Sequence, residues 1–268
     1  MKRVLIVLII FIFSLFLYGK YIEVNNLIVK EYTIYNENIP DTFEELKIVQ
    51  FSDLLYKSGN NEKKLNELVN TINNENADII IFSGDLFTAS EKYNADDFNL
   101  LKKSLKSLNA NLFKFAVIGD NDYVFLNEYK DILYESDFIL LDNENKLLFY
   151  KSNTPINIIG VSDLNNVENL FESDVEYEYT LAITHKPDNL TQLSKYNIST
   201  ILSGHSLGGV INMPFFGGII KRDGATTYIN DNYKLNNTEI FISNGLGYQD
   251  YEFRLFNTPS INVYRLAN

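Results

Sequence analysis

The stretch Ala77 to Asp85 reads ADIIIFSGD: a continuous run of β-branched and aromatic residues, then Ser-Gly, then an acid. Apolar residues that run on without alternating mark a strand covered on both faces. The Gly lets the chain turn sharply where the strand stops. Five more stretches share the design: LKIVQFSD, LFKFAVIGD, INIIGVSD, YTLAITH and STILSGH. They end at Asp53, Asp120, Asp163, His185 and His205. Between the first two strands Leu65, Leu68, Val69 and Ile72 recur at helical spacing, and Phe98, Leu101, Leu105 and Leu108 do so before the third. Strand, helix, strand, helix, strand predicts a layered α/β sheet. After residue 225, TTYINDNYKL, EIFISNGLG and SINVYRL are strand-like runs with no helix between them, which predicts an antiparallel section completing the sheet.

In open α/β sheets ligands bind at the carboxyl ends of strands, so the terminal residues of these runs are expected to converge on one edge. Acid and imidazole together there make a metal site. Asp53, Asp85, Asp120, His185 and His205 are the candidate ligands, and Asp163 is read as a turn residue. A sulfur-free oxygen and nitrogen set suits Mn²⁺, Fe²⁺ or Zn²⁺ and disfavours Cu(I). Both histidines of the chain lie at strand ends, and that joint pattern carries more weight than either residue alone.

The 268 residues, 46% of them hydrophobic, suffice for one sizeable domain. A formal net charge of −12 repels a phosphate backbone, which excludes nucleic acid as a partner. With no cysteine, disulfides and thiolate metal sites are excluded too. At the N-terminus Lys2 and Arg3 precede VLIVLIIFIFSLFLYG, an apolar run from Val4 to Gly19 closed by Lys20. Its end holds Phe16 and Tyr18, where signal cleavage wants small residues, and no alanine precedes Ala77. Residues 1–20 are therefore expected to be an uncleaved signal-anchor. The chain then crosses the cell membrane once, and residues 21–268 form a single domain on the extracytoplasmic side, since Lys2 and Arg3 stay in the cytoplasm.

The motif GHSLGG, Gly204 to Gly209, has the letters of a serine-esterase nucleophile elbow. The elbow needs a histidine later in the chain and a helix after the serine. No histidine follows Ser206, and VINMPFFGGII reads as strand and turn. The esterase is the most distant reading.

Taken in order, SDLL, SGDLF, IGDND, ITHKPD and SGHSLGG resemble the five motifs of the calcineurin-like metallophosphoesterases, especially their membrane-anchored bacterial branch: Asp-x-His, Gly-Asp, Gly-Asn-His-Asp, a lone His and Gly-His-x-His. The resemblance spans roughly Leu46 to Leu266. It implies a four-layer α-β-β-α sandwich of two mixed sheets, holding two metal ions and a bridging hydroxide. Carried over residue by residue, the first metal keeps Asp53 and Asp85 but meets Leu55 and Leu207 where the family has imidazoles. The second keeps Asp85, His185 and His205, with Asp120 in place of Asn. Asn121 stands where the family has a proton-donating His. The resemblance thus implies about one divalent ion per chain, bound by Asp85, Asp120, His185 and His205, with Asp53 reaching it through a water.

Two readings follow. One is a phosphoester hydrolase working with a single metal, in which Asp53 or Asp122 replaces the missing imidazole chemistry. The other is a pseudoenzyme that binds a metal or a phosphorylated ligand without turnover. An anchor beside the domain points to a phosphorylated small molecule or a lipid-linked envelope phosphate as substrate. Asn121, Arg222 and Arg254 are candidate contacts to it, while Lys221 reads as a solvated charge, and Asn244 with Gly245 reads equally as part of the same edge or as turn chemistry alone.

Overall fold

The computed structural model describes all residues of the chain except Asn60, Asn61, Asn166 and Asp250. Helix α1 (Lys2–Tyr21) is followed by β1 (Ile28–Tyr35), β2 (Lys47–Phe51), α2 (Glu62–Asn74), β3 (Ile79–Phe82), α3 (Ala95–Lys106), β4 (Phe113–Ala116), α4 (Leu126–Glu135) and β5 (Phe138–Leu140). The second half runs β6 (Glu144–Leu148), β7 (Ile156–Val161), β8 (Thr180–Thr184), α5 (Leu190–Leu193), β9 (Thr200–Ser203), the short hairpin β10 (Asn212–Met213) and β11 (Gly217–Gly218), then β12 (Asn232–Leu235), β13 (Thr238–Ile242) and β14 (Ser260–Ala267).

Two six-stranded mixed sheets form, ordered β1-β14-β2-β3-β4-β5 and β12-β13-β9-β8-β7-β6. Their strands are apolar on both faces because both faces are covered. Ile48, Ile79, Ile81 and Phe115 meet Ile158, Leu181, Ile183 and Phe241 between the sheets. Val49, Phe51, Ile80 and Phe82 face α2 and α3 through Leu65, Leu68, Ile72, Leu101 and Leu105, side chains whose helical spacing predicted those two helices, and α4 covers the same face with Tyr129, Ile132 and Leu133. The outer face of the second sheet packs Ile159, Ala182, Ile201 and Ile240 against Leu190 and Leu193. The four-layer α-β-β-α sandwich is therefore present, with a thin fourth layer, since α5 has only four residues.

The C-terminal strands divide between the two sheets. β12 and β13 pair antiparallel as expected, but β13 joins β9 in parallel, and β14 lies in the first sheet, antiparallel to β2 and parallel to β1. Below the site the sheets are tied by buried Gln50, whose amide donates to Ser83 Oγ and the Ser203 carbonyl and accepts from Tyr264 Oη. α1 is long and apolar enough to cross a membrane. Val4 to Phe13 are exposed along it, and only Gly19, near its end, is buried against the domain.

Candidate metal centre

β2, β3, β8 and β9 all deliver their carboxyl ends to one edge, and there Asp53, Asp85, His185 and His205 bring one ligand atom each to within 4.8 Å of one another. All four are buried. Asp53, Asp85 and His205 sit at φ values of 49°, 61° and 67°, a left-handed conformation that costs a residue with a Cβ about 1 kcal/mol or more. The preceding glycines permit the close approach. A Cβ on Gly84, itself at φ +93°, would lie 2.8 Å from His185 Nδ1, and one on Gly204 would lie 2.7 Å from Asp53 Oδ2.

The hydrogen bonds fix which atoms face inward. His185 Nδ1 lies 2.7 Å from the Ser83 carbonyl and His205 Nε2 lies 2.6 Å from the Asp223 carbonyl. A carbonyl only accepts, so each of these nitrogens is the N–H of its ring. The other two, His185 Nε2 and His205 Nδ1, are left facing each other at 3.0 Å. Two lone pairs at that distance repel, so either a proton or a metal cation must stand between them. Asp53 Oδ2 accepts the His205 amide at 2.8 Å, whereas Asp53 Oδ1 is buried with no partner. An orphaned carboxylate oxygen and two converging imidazole nitrogens are the donor set a borderline divalent ion requires, and the carbonyls behind the rings are the supports such ligands carry. The residues present fit a metal.

Electrostatics agree with that fit. Burial opposes charge on His185, but the Asp85 carboxylate at 3.3 Å, with Asp53 and the Ser83 carbonyl, raises it to about 10. Burial likewise opposes charge on Asp85, yet His185 and the two Asn121 donors hold it well below the usual carboxylate range. Burial, His185 and Arg222 all push His205 down, which keeps its imidazole neutral. The proton on His185 thus occupies the place of a bound cation, and a metal must displace it.

The remaining sequence candidates separate. Asp120 does not join the group. Its backbone continues in helical φ/ψ into the turn that starts at Asn121, and its exposed carboxylate pairs with Lys186 at 3.0 Å. Asn121 turns inward instead, donating to both Asp85 oxygens at 2.8 and 2.6 Å. Asp122 is fully buried and accepts the backbone amides of Asp85, Leu86, Phe87 and Gly119. Burial and the neighbouring Asp85 raise it to about 7 against those donors. With both oxygens engaged it is a positioning residue that clamps the Asp85 loop and cannot reach a substrate.

Arg254 is fully buried: its Nη atoms donate to the carbonyls of Leu207, Asn244 and Gly247 and its Nε is enclosed without a partner, so burial closes the guanidinium off from a phosphate in the solvent. Arg222 is half-buried and binds the His205 carbonyl and Gln249 Oε1. Asp163 caps its own turn through Asn165, and Lys221 reaches the Thr226 carbonyl at the surface. Ser206 Oγ accepts the Gly208 amide, while both imidazoles are engaged with each other and with carbonyls, so no base is hydrogen-bonded to the hydroxyl. Leu55 and Leu207 are buried at φ 45° and 48°.

Replacing Asp122 by Asn sets an amide NH₂ against backbone N–H groups. We expect Asp122→Asn to lose about 2 kcal/mol of stability in a denaturant melt and, because it clamps a ligand loop, to weaken ion affinity by roughly 10- to 100-fold.

Sequence reasoning missed the Ser83 and Asp223 carbonyls, because backbone acceptors have no residue signature. Gln50 was detectable as a polar residue inside the apolar run LKIVQF.

A two-sheet sandwich with acid and imidazole at the strand ends is the architecture of a metal-dependent hydrolase. Residues 46–209 match the calcineurin-like phosphoesterase family, and the chain belongs to it. It is thereby a metallophosphoesterase-type hydrolase. Among its relatives is an uncharacterized metallophosphoesterase, YkuE of Bacillus subtilis, 28% identical over 94% of this chain and 89% of its own. Another is the UDP-2,3-diacylglucosamine pyrophosphatase LpxG of Chlamydia muridarum, 25% identical over 63% of this chain and 66% of its own. The solved purple acid phosphatase PPD1 of yellow lupin is similar over 80% of this chain and 46% of its own, with 12% identity and a TM-score of 0.44.

Proposed function

We propose that this chain is a membrane-anchored phosphoester hydrolase that works with one divalent ion, Mn²⁺, Fe²⁺ or Zn²⁺, held by Asp53, Asp85, His185 and His205. The observation that carries this is the pair of imidazole nitrogens facing each other at 3.0 Å beside the unpartnered Asp53 Oδ1. The ion, when bound, supplies Lewis acidity toward the phosphoryl group and activates water. The chain's own residues do the rest. Ser83 and Asp223 hold the imidazole tautomers, Asn121 and Asp122 fix Asp85, and Asp53 Oδ1 completes the donor set beside the two imidazoles, so the proton of the attacking water passes to solvent.

No titratable group occupies the position of the family's proton donor, since Asn121 has none to give. The leaving oxygen must depart as an anion or draw its proton from solvent, so substrates with acidic leaving groups, such as aryl esters and phosphoanhydrides, are favoured. LpxG is a pyrophosphatase by name, which supports this class. A lipid-linked substrate is supported by α1 and by a cavity of about 120 Å³ just after it, where Val24, Leu27, Leu54 and Leu55 line one part and Lys57, Lys64 and Glu67 another. In this reading residues 1–20 are a single-pass anchor and residues 21–268 one domain on the extracytoplasmic side. Leu55 and Leu207, which coordinate nothing, favour the second reading, a domain that binds metal or phosphate without turnover.

Aryl phosphomonoesters and phosphodiesters of graded leaving-group acidity separate the two. The proposal expects chelator-sensitive hydrolysis that falls steeply as the leaving group becomes less acidic. No turnover with Mn²⁺, Fe²⁺, Zn²⁺ or Mg²⁺ selects the binding protein.

A further inference from the structure

The motif that resembled an esterase elbow continues into VINMPFFGGII, a segment the metal centre does not use. It forms the β10–β11 hairpin, whose tip carries Phe215 and Phe216, 105% and 86% exposed, with Ile219 and Ile220 also exposed behind them. No acidic residue lies between Val210 and Ile220, and Lys221 and Arg222 follow at once. In a chain of net charge −12 this is an exposed apolar tip with no acid in it and one surface lysine, Lys221, at its base, since Arg222 is turned to His205 and Gln249; an exposed apolar tip of this kind suits a bilayer interface.

The placement of α1 says what covers the tip. The end of α1 docks on the segment after residue 252: Phe16 stacks on Phe253 at 5.7 Å, the Arg254 amide donates to the Gly19 carbonyl, and Gly19 is buried there. Buried Glu23 then accepts the amides of Phe256 and Asn257. The same segment pairs with the hairpin's base, where the Leu255 amide donates to the Val210 carbonyl at 3.1 Å and the Asn212 amide to the Leu255 carbonyl at 2.9 Å. One extended strip is thus held between the end of the anchor and the root of the hairpin. Tyr18 and Tyr21, exposed at the end of α1, are side chains that favour the lipid–water boundary.

We propose that the β10–β11 hairpin is a second membrane contact, inserting Phe215 and Phe216 into the interface of the bilayer that holds α1. This rests on the anchored reading given under the proposed function. The hairpin's root also leads directly to the metal centre, through the Ile220 amide on the Gly209 carbonyl and Arg222 on the His205 carbonyl. Two contacts, helix and hairpin, then fix the domain's orientation so that the strand ends open onto the headgroup layer. A phosphorylated lipid is reached there without leaving the membrane.

Because the chain has no cysteine, single-cysteine variants label uniquely. Phe215→Cys, Phe216→Cys, Leu8→Cys and Tyr134→Cys of the full chain, carrying an environment-sensitive fluorophore, are reconstituted in phosphatidylethanolamine–phosphatidylglycerol vesicles with lipid-borne quenchers. Tyr134 is exposed at the end of α4 away from the strand carboxyl ends. Quenching at 215 and 216 is expected to exceed that at 134 at least about threefold, with strong quenching at 8. Strong quenching at 8 with 215 no different from 134 overturns the hairpin contact and leaves the anchor standing. A label at 215 shielded from water yet unquenched by lipid overturns it in favour of a second copy covering the tip. No quenching at 8 overturns the anchored reading and this proposal with it.

Discussion

The His205→Ala variant is expected to lose the bound ion and, with it, phosphoester turnover. His205 offers Nδ1 to the centre, and its other nitrogen is pinned to the Asp223 carbonyl, so neither the tautomer nor the ring direction is free to be rebuilt by a neighbour. Losing a group that merely orients a ligand already costs up to about 100-fold in metal affinity. Loss of the ligand itself is expected to exceed that, and hydrolysis of an aryl phosphodiester to fall by on the order of 1,000-fold or to background. His185→Ala should do the same. Equilibrium melts of both variants identify a folded protein, so that loss of ion is not confused with loss of structure. A folded His205→Ala protein that keeps ion and turnover would remove the imidazole from the site.

The double variant Leu55→His with Leu207→His is expected to gain a second ion. Both leucines are buried at left-handed φ values of 45° and 48°, a conformation leucine adopts at a cost of roughly 1 kcal/mol or more. Nothing about an apolar side chain requires it. These backbones hold the conformation of ligand loops around residues that coordinate nothing, and Leu207 packs with Asp53 against Gly245. Returning imidazoles to these loops should raise the count from about one ion per chain to about two, and Mn²⁺-dependent phosphodiester hydrolysis by roughly tenfold to 100-fold. Adding Asn121→His and Asp120→Asn should raise it further by restoring a proton donor. The gains are not expected to add, because ligands of one centre act as a unit. A double variant that folds normally and still holds one ion would mean that the edge has been reshaped.

The strands and three members of the centre, Asp85, His185 and His205, were legible because each obeys a local rule, whereas Asp53, expected to reach the ion only through a water, stands in the group itself in the place expected of Asp120. A strand covered on both faces must be apolar throughout, and a side chain that ends it must lie at the edge. ADIIIFSGD and STILSGH state both facts in nine and seven letters. What a run of letters does not state is which way a strand-end side chain turns. Asp120 and Asn121 are adjacent, and the helical turn of the chain at Asp120 sends the acid out to Lys186 and the amide in to Asp85. Arg254 reads as an anion contact, but it is spent on three carbonyls that only the folded chain gathers around it. The crossing of β14 to the first sheet was hidden for a related reason, since strand propensity carries no record of the partner.

The measurement that bears most directly on this account is the number of divalent ions carried by the full-length wild-type protein, prepared without chelator and counted by elemental analysis beside His205→Ala. Asp53, Asp85, His185 and His205 form one donor set, two carboxylates and two imidazoles that balance a single dication. The expected result is about one ion per wild-type chain and none in the variant. Near two ions per wild-type chain would show that Leu55 and Leu207 have substitutes. A metal-free wild-type protein whose melting ignores added chelator and added Mn²⁺ would make both histidines structural and contradict the centre outright.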